Sequence, residues 1–322
     1  MSGVTTLTAP DRAEARADLG RWLPSYLALA AIWGTSFLFI KVGVRELHPL
    51  WLTFGRVAAG TLTLLVVLAV IRHRLPRDPV LWGHLTVVAT LGVTLPFTLF
   101  GFGEQRVSSV LAGIWNAATP LVALPLAVLA FRTERMTWRR AAGIAIGFAG
   151  VLVVLGVWRG VGGAQLTGQL MCFGAAMCYA VAIPYQKKFI AGRAGSGVSL
   201  AAAQLLLALA QLAVLAPLLA GAPPAPAQLS LQVVLCVLAL GALGTGLAFV
   251  LNMRVIRVAG ASTSASVTYL MPVVATVVGV AVLHERPLWN QPAGALIVLV
   301  GVAVSQGMLR LLRSRTAVPP TA

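Results

Sequence analysis

The chain has 322 residues, of which 59% are hydrophobic and only 10% charged, with a formal net charge of +16. A water-soluble domain carries about 25% charged residues, so a soluble globular fold is excluded and lipid must be the solvent for much of the surface. The basic residues form neither a basic helix nor a stripe interleaved with exposed aromatics, which excludes a nucleic-acid surface. Cys172, Cys178 and Cys236 all lie inside apolar runs without metal-ligand spacing, so they read as small buried hydrophobes, and no metal or other cofactor is implied.

Runs free of Asp, Glu, Lys and Arg that can cross about 30 Å of hydrocarbon mark the membrane spans. In chain order they cover residues 22–40, 47–71 (interrupted by Arg56), 79–103, 107–131, 141–158 and 160–186. Residues 194–253 follow without one charged side chain. As a single helix this stretch would be about 90 Å long at 1.5 Å per residue, so it is two spans. They part at Gly221-Ala-Pro-Pro-Ala-Pro226, which no helix interior tolerates. Residues 258–284 and 287–309 complete ten transmembrane helices in an all-α integral membrane protein. Residues 1–21 are polar and of mixed charge. With no apolar core after a basic start, they read as an unstructured cytoplasmic tail rather than a cleaved signal peptide. Residues 312–322 form a second cytoplasmic tail.

The basic residues test this count. With a cytoplasmic N-terminus, only Lys41, Arg45, Arg106, Arg159 and Arg286 fall outside, and Arg56 falls within a span. The other 18 of the 24 Lys and Arg face the cytoplasm. That positive-inside bias fixes a multi-pass orientation in the cell membrane with both termini inside, and it accounts for the net charge.

The two halves repeat. Glu134 is followed at matching distances by Trp138, Gly143 and Gly150, and Glu285 by Trp289, Gly294 and Gly301. Pro120 precedes the first set and Pro272 the second, and Trp33 with Lys41 matches Tyr179 with Lys187. The repeats are residues 22–158 and 160–311. Five helices is an odd number, so the two repeats insert with opposite orientation. Inverted repeats are a common plan for secondary transporters, with the substrate at the repeat interface near the midplane.

The segment Trp33-Gly-Thr-Ser-Phe37 with Lys41 resembles the first helix of the drug/metabolite transporters of the EamA type. Glu104-Gln-Arg-Val-Ser-Ser109 leading to Pro120 resembles that family too, as do Thr268-Tyr-Leu-Met-Pro272, Gly279, His284-Glu285-Arg286, Gly294 and Gly301. The ordered set spans about residues 22–311. It departs from the commoner Gly-Glu pattern where Arg132 and Thr133 precede Glu134. The resemblance implies a ten-helix inverted-repeat fold with both termini cytoplasmic. It also implies export or uptake of small metabolites, amino acids or drugs across the cytoplasmic membrane.

Polar and aromatic residues at helical spacings of 3, 4 and 7 mark candidate path-lining faces. Trp33 and Ser36 share one in the first helix, and Phe97, Gly101 and Glu104 one in the third. Trp115, Asn116 and Thr119 share one in the fourth. Tyr179 and Gln186 do so in the sixth, Thr245, Phe249 and Asn252 in the eighth, and Ser262, Ser266 and Tyr269 in the ninth. Asn116 reads either as substrate-lining or as an interhelical hydrogen bond that holds the bundle together. Trp33, Trp115 and Tyr179 either stack on a substrate or pack; Trp51, Trp82 and Trp158 read as interfacial anchors. Arg56 recognises an anionic group, snorkels outward, or pairs with Glu46 or Glu104. Glu104 is either a proton-coupling carboxylate or a solvated helix end, and Lys41 is a boundary charge or part of that network. All eight acidic residues lie at span ends or outside, so no deeply buried carboxylate is expected. Pro120 and Pro272 are candidate hinges, or sites of static curvature. Gly143, Gly147 and Gly150 suit close contact with Gly294 and Gly301 in a scaffold pair.

The function expected is a secondary transporter of small molecules working by alternating access, in the export direction, with proton coupling through Glu104 open. A non-transporting scaffold or channel is the alternative. His48, His73, His84 and His284 are scattered, and neither catalytic motifs nor a phosphate-binding loop is present, which argues against an embedded enzyme or an ATP-driven pump.

Overall fold

A chain in hydrocarbon must satisfy its own backbone polar groups, and a bundle of helices does so. The computed structural model describes residues 9–156, 158, 163–193 and 195–306. Nine helices among them are long and apolar enough to cross a membrane: α1 (Gly20–Gly43), α2 (Pro49–Val70), α3 (Pro79–Glu104), α4 (Ser109–Leu129), α5 (Trp138–Leu155), α6 (Gly163–Phe189), α7 (Gly197–Ala220), α8 (Leu231–Gly260) and α9 (Thr263–Leu283). A shorter apolar helix, α10 (Asn290–Ser305), is the tenth. The expected end of that span at residue 309, and the tail at 312–322, lie outside the described residues.

Local chemistry sets the helix starts. Asp78 accepts from Val80 N at 2.9 Å ahead of Pro79, and the hydroxyls of Ser108, Thr137, Ser196 and Ser230 cap α4, α5, α7 and α8. One expectation is corrected: the helix of α1 runs back to Ala9, so residues 9–21 are helical rather than unstructured.

The repeats are interleaved. α1 packs on α8 and α9 of the second repeat, while α6 of the second repeat packs on α3 and α4 of the first. α2 lies against its counterpart α7, and α5 against α10. Alternation puts the loops holding Glu46, Glu104 and Glu285 at one end of the bundle, called here the Glu285 end, and those holding Asp78, Glu134 and Arg193 at the other. Large side chains such as Leu62, Val70, Leu129, Leu218 and Leu296 point outward, as a lipid-facing surface requires.

Four breaks in regularity occur at corresponding places. α3 contains a π turn at Thr90–Thr94 and α8 one at Ala242–Leu247. α4 is interrupted at Ala118, two residues before Pro120, and α9 at Ser266. Pro272 itself sits inside the continuous piece Val267–Leu283.

The α5–α10 contact is backbone against backbone. A methyl group at Gly143 would lie 2.5 Å from the Gly301 carbonyl, and one at Gly150 or Gly294 would meet Val298 N or Val154 N at 2.6 Å. Asn290 Nδ2 adds hydrogen bonds of 3.1 Å to the Val153 and Val154 carbonyls. Replacing Gly301 by alanine should therefore lower stability by about 1–3 kcal/mol. Gly83, with no atom within 4 Å of its would-be Cβ, should tolerate alanine without loss. Thermal unfolding of the two purified variants checks this, and equal midpoints would contradict the seam's tightness.

Candidate functional site

Glu285 joins the two repeats at one end of the bundle. The chain leaves α9 through His284 in a left-handed conformation (φ 54°), which turns Glu285 back over the start of α4. Its carboxylate accepts from Ser109 N (2.9 Å), Val110 N (3.1 Å) and Ser109 Oγ (3.0 Å). The anion thus caps a helix N-terminus, where free N–H groups and the helix dipole favour negative charge. Gly279 makes room, because a Cβ there would stand 2.8 Å from Glu285 Oε2. Its sequence counterpart behaves differently. Glu134 is held by Lys187 Nζ at 2.5 Å and Arg140 Nη2 at 3.1 Å. The hydrogen bond from Lys187, with Arg140 adding to it, holds the Glu134 carboxyl below its usual value of 4.5. The cross-repeat cap is therefore made at one end, and a salt bridge to α5 and α6 stands at the matching place at the other.

Arg56 is buried in α2. Its Nε donates to Thr245 Oγ1 at 3.0 Å, and its guanidinium carbon lies 3.5 Å from the centroid of the Phe97 ring. Thr245 belongs to the π turn of α8 and itself donates to the Leu240 carbonyl at 3.2 Å. The expected pairing with Glu46 or Glu104 is corrected: neither lies within salt-bridge distance of Arg56, and Glu46 instead accepts from Ser230 N and Oγ at 2.8 and 2.7 Å. Those bonds, the backbone one first, hold the Glu46 carboxyl below its usual value.

Glu104 overturns the expectation that no carboxylate is deeply buried. Its side chain has no exposure, and neither oxygen has a hydrogen-bond partner among the described residues. Lys41 does not neutralise it directly, because its Nζ donates to the carbonyls of Glu104 (2.5 Å) and Val107 (2.8 Å) and so completes the C-terminus of α3. Groups of other helices, Lys41 of α1, Arg56 of α2 and Cys172 of α6, lie within electrostatic reach of the carboxyl, a surrounding that a count of residues from the span end does not reveal.

The remaining candidates divide. Tyr179 sits beside Phe100 (centroids 6.3 Å apart), which meets Phe37 at 5.5 Å, and Trp33 and Tyr269 join the same core. Trp115 packs edge-on against Phe173 with its indole N–H unpartnered, and the Tyr269 hydroxyl is also buried without a partner. Asn116 Nδ2 reaches Met271 Sδ of α9 at 3.8 Å, and Thr119 donates to the Asn116 carbonyl at 2.8 Å. The Ser36 hydroxyl returns to the Ile32 carbonyl at 2.9 Å. Toward the Glu134 end, Asn252 accepts from Ser264, and Ser266 bonds Tyr26 at 2.9 Å. Gln186 is exposed and so lies away from Tyr179, and the Ser262 side chain lies outside the described residues. Trp82 and Trp158 sit at helix ends, but the indole nitrogen of Trp51 is enclosed and unpartnered, so Trp51 is a core residue rather than an interfacial anchor. The Glu285 cap was missed in the sequence, although Ser108-Ser109 before an apolar run was a legible helix start.

The sequence profile of the EamA-like transporter family matches residues 21–156 and 166–306, one match per repeat. The chain belongs to the EamA-like transporter family. An uncharacterized transporter of Bacillus subtilis, YoaV, is 24% identical over 86% of this EamA-like chain and 93% of its own length. A probable amino-acid metabolite efflux pump of Salmonella typhimurium is 28% identical over 51% of the chain and 52% of itself. An S-adenosylmethionine/S-adenosylhomocysteine transporter of Chlamydia trachomatis is 29% identical over 39% and 38%. Apart from YoaV, the chain spans about half or less of the length of these curated relatives. A solved crystal structure with 19% identity superposes with a TM-score of 0.64 over 91% of the chain and 98% of its own, which shows the shared fold.

Replacing Glu285 by alanine should free the Ser109 and Val110 amides. Hydrogen exchange in the peptide holding them should rise by roughly tenfold or more, since a bond to a charged acceptor contributes about 1.5–3 kcal/mol; unchanged exchange would deny the cap. Glu134 makes a pH prediction. Its lowered pKa means that the link to Lys187 contributes fully above the ordinary carboxylate range and is lost as pH falls through the lowered value. The stability difference between wild type and Glu134→Gln should hold steady from neutral pH down to about 4.5, decline below it, and vanish only once the pH is under the lowered value.

Proposed function

We propose that this EamA-like chain is a secondary transporter that exports small metabolites across the cytoplasmic membrane by alternating access. The observation that carries the reading is the unequal use of two matched glutamates. Glu285 of the second repeat caps α4 of the first at the Glu285 end, while the other end is bridged by ion pairs, Glu134 with Lys187 and Asp78 with Arg193. Opposite repeats linked in different ways at their two ends are what a two-state gate requires. The basic residues of the loops place the Glu134 end in the cytoplasm with both termini. The break at Ala118, two residues before Pro120, and the one at Ser266, six before Pro272, supply the places where α4 and α9 bend.

The substrate path runs between α1, α4, α6, α8 and α9, with Trp33, Trp115, Tyr179 and Tyr269 as aromatic walls and Asn116, Thr119, Ser36, Asn252 and Ser266 as the polar residues along it. Export is the direction favoured by likeness to the Salmonella efflux pump. Glu104 is the proton-coupling residue. An ionised carboxylate without a donor inside a bundle costs several kcal/mol, a cost that uptake of a proton at this place would remove. The groups within electrostatic reach of it are Lys41 from α1, Arg56 from α2, Cys172 from α6 and Glu285 beyond α9.

Proteoliposomes loaded with mixed amino acids and common metabolites test both statements. Substrate-dependent efflux driven by an inward proton gradient is expected from wild type, and loss of that gradient dependence from Glu104→Gln. No flux of any compound leaves the scaffold reading, and gradient-driven flux in Glu104→Gln removes Glu104 from the coupling.

A further inference from the structure

Arg56 is the one basic side chain among the described residues that is fully enclosed, at 7% exposure. A guanidinium has five N–H donors and stays charged at neutral pH. The chain supplies one acceptor, Thr245 Oγ1 to Nε, and one ring face, Phe97. Among the described residues no acceptor reaches Nη1 or Nη2, and the ion pairs formed involve Arg140, Lys187 and Arg193 instead. A buried charge left without a counter-charge is costly unless something arrives to match it.

The scaffold does not need a cation here. Arg56 lies seven residues after Pro49, the first residue of α2, and in the partner repeat the residue seven after Gly197, the first of α7, is the neutral Gln204. Gln204 reaches back to the Val88 carbonyl of α3 at 3.3 Å, as Arg56 reaches Thr245 of α8. An amide therefore fills the same architectural place. Meanwhile the guanidinium is held rigidly. α2 and α8 approach so closely that a Cβ on Gly241 would meet the Arg56 carbonyl at 2.5 Å and one on Gly60 would meet Thr245 at 2.9 Å. Nε is pinned from one side and the ring covers one face, which leaves the Nη edge as a preorganised fork.

We propose that this edge binds the carboxylate of an otherwise apolar organic or amino acid, a statement that rests on reading the bundle as a substrate path. One carboxylate fits one fork bidentately. A phosphate would call for a second cation, and Lys41, which shares with Arg56 the electrostatic reach of Glu104, is already engaged by the carbonyls of Glu104 and Val107. The ring surfaces of Phe97, Phe100 and Tyr179 suit an apolar remainder.

The test sets the common amino acids, phenylacetate and pyruvate each against its methyl ester. Both thermal stabilisation of the purified protein and competition for efflux in proteoliposomes are measured. At least one acid should act at roughly tenfold to a hundredfold lower concentration than its ester. That preference should fall to near one in Arg56→Gln and return in part in Arg56→Lys. Thr245→Val, which unpins Nε, should weaken it and serves if Arg56→Gln fails to fold; the wild-type comparison needs no variant. Acid and ester acting alike, a preference kept in Arg56→Gln, or stabilisation by phosphate esters alone would overturn the carboxylate site. Flux limited to neutral or cationic compounds overturns the site and leaves transport standing. An acid preference in binding with no flux overturns transport and leaves the site.

Discussion

Each five-helix repeat packs its first helix into the other, and most of the structure follows from that exchange. α1 fills the groove of α8 and α9, and α6 that of α3 and α4. Neither repeat can bury its own third and fourth helices without the other's first. The two halves are thus one folding unit, although each matches the family profile separately. The interface between them is the core of the molecule, and the polar residues gathered there are buried by both halves at once.

This arrangement explains how the charged groups divide. Residues in loops find partners readily, as Asp78 does in Arg193 at 3.3 Å. Residues drawn into the exchanged core do not: among the described residues Arg56 has one hydrogen bond, to Thr245, and neither oxygen of Glu104 has a partner. Buried polar groups in folded proteins are almost always satisfied, so a carboxyl left bare within electrostatic reach of a buried guanidinium marks a region built for more than packing.

Much of this was legible in the sequence. Span count, repeat and the close pairing of α5 with α10 followed from charge spacing and glycine spacing, because lipid imposes its length and small residues impose close approach. The aromatic and small-residue faces of α1 and α4 were also readable, since those stretches are regular up to Ala118. What escaped was set by irregular backbone. The π turn in α8 inserts a residue and rotates everything after it by about 100°, so Thr245 meets Arg56 while Asn252 turns to Ser264. Glu104 looked like a helix end, and only the packing of other helices, which brings Lys41, Arg56 and Cys172 within its reach, buries it. The Glu285 cap joins residues 176 positions apart, a contact that spacing along one helix cannot show.

The glycine seam of α5 and α10 has a mechanical consequence. Ordinary helix pairs lock through interdigitated side chains, and sliding or rolling one past the other means unthreading each knob from its hole. At Gly143, Gly150, Gly294 and Gly301 backbone meets backbone, and the side chains that fill the contact are few, chiefly Val154, Val298 and Asn290. Such a surface acts as a bearing. In the alternating access proposed above, a pair held this close would keep its separation while the rest tilts, which makes the least adorned helices its fulcrum.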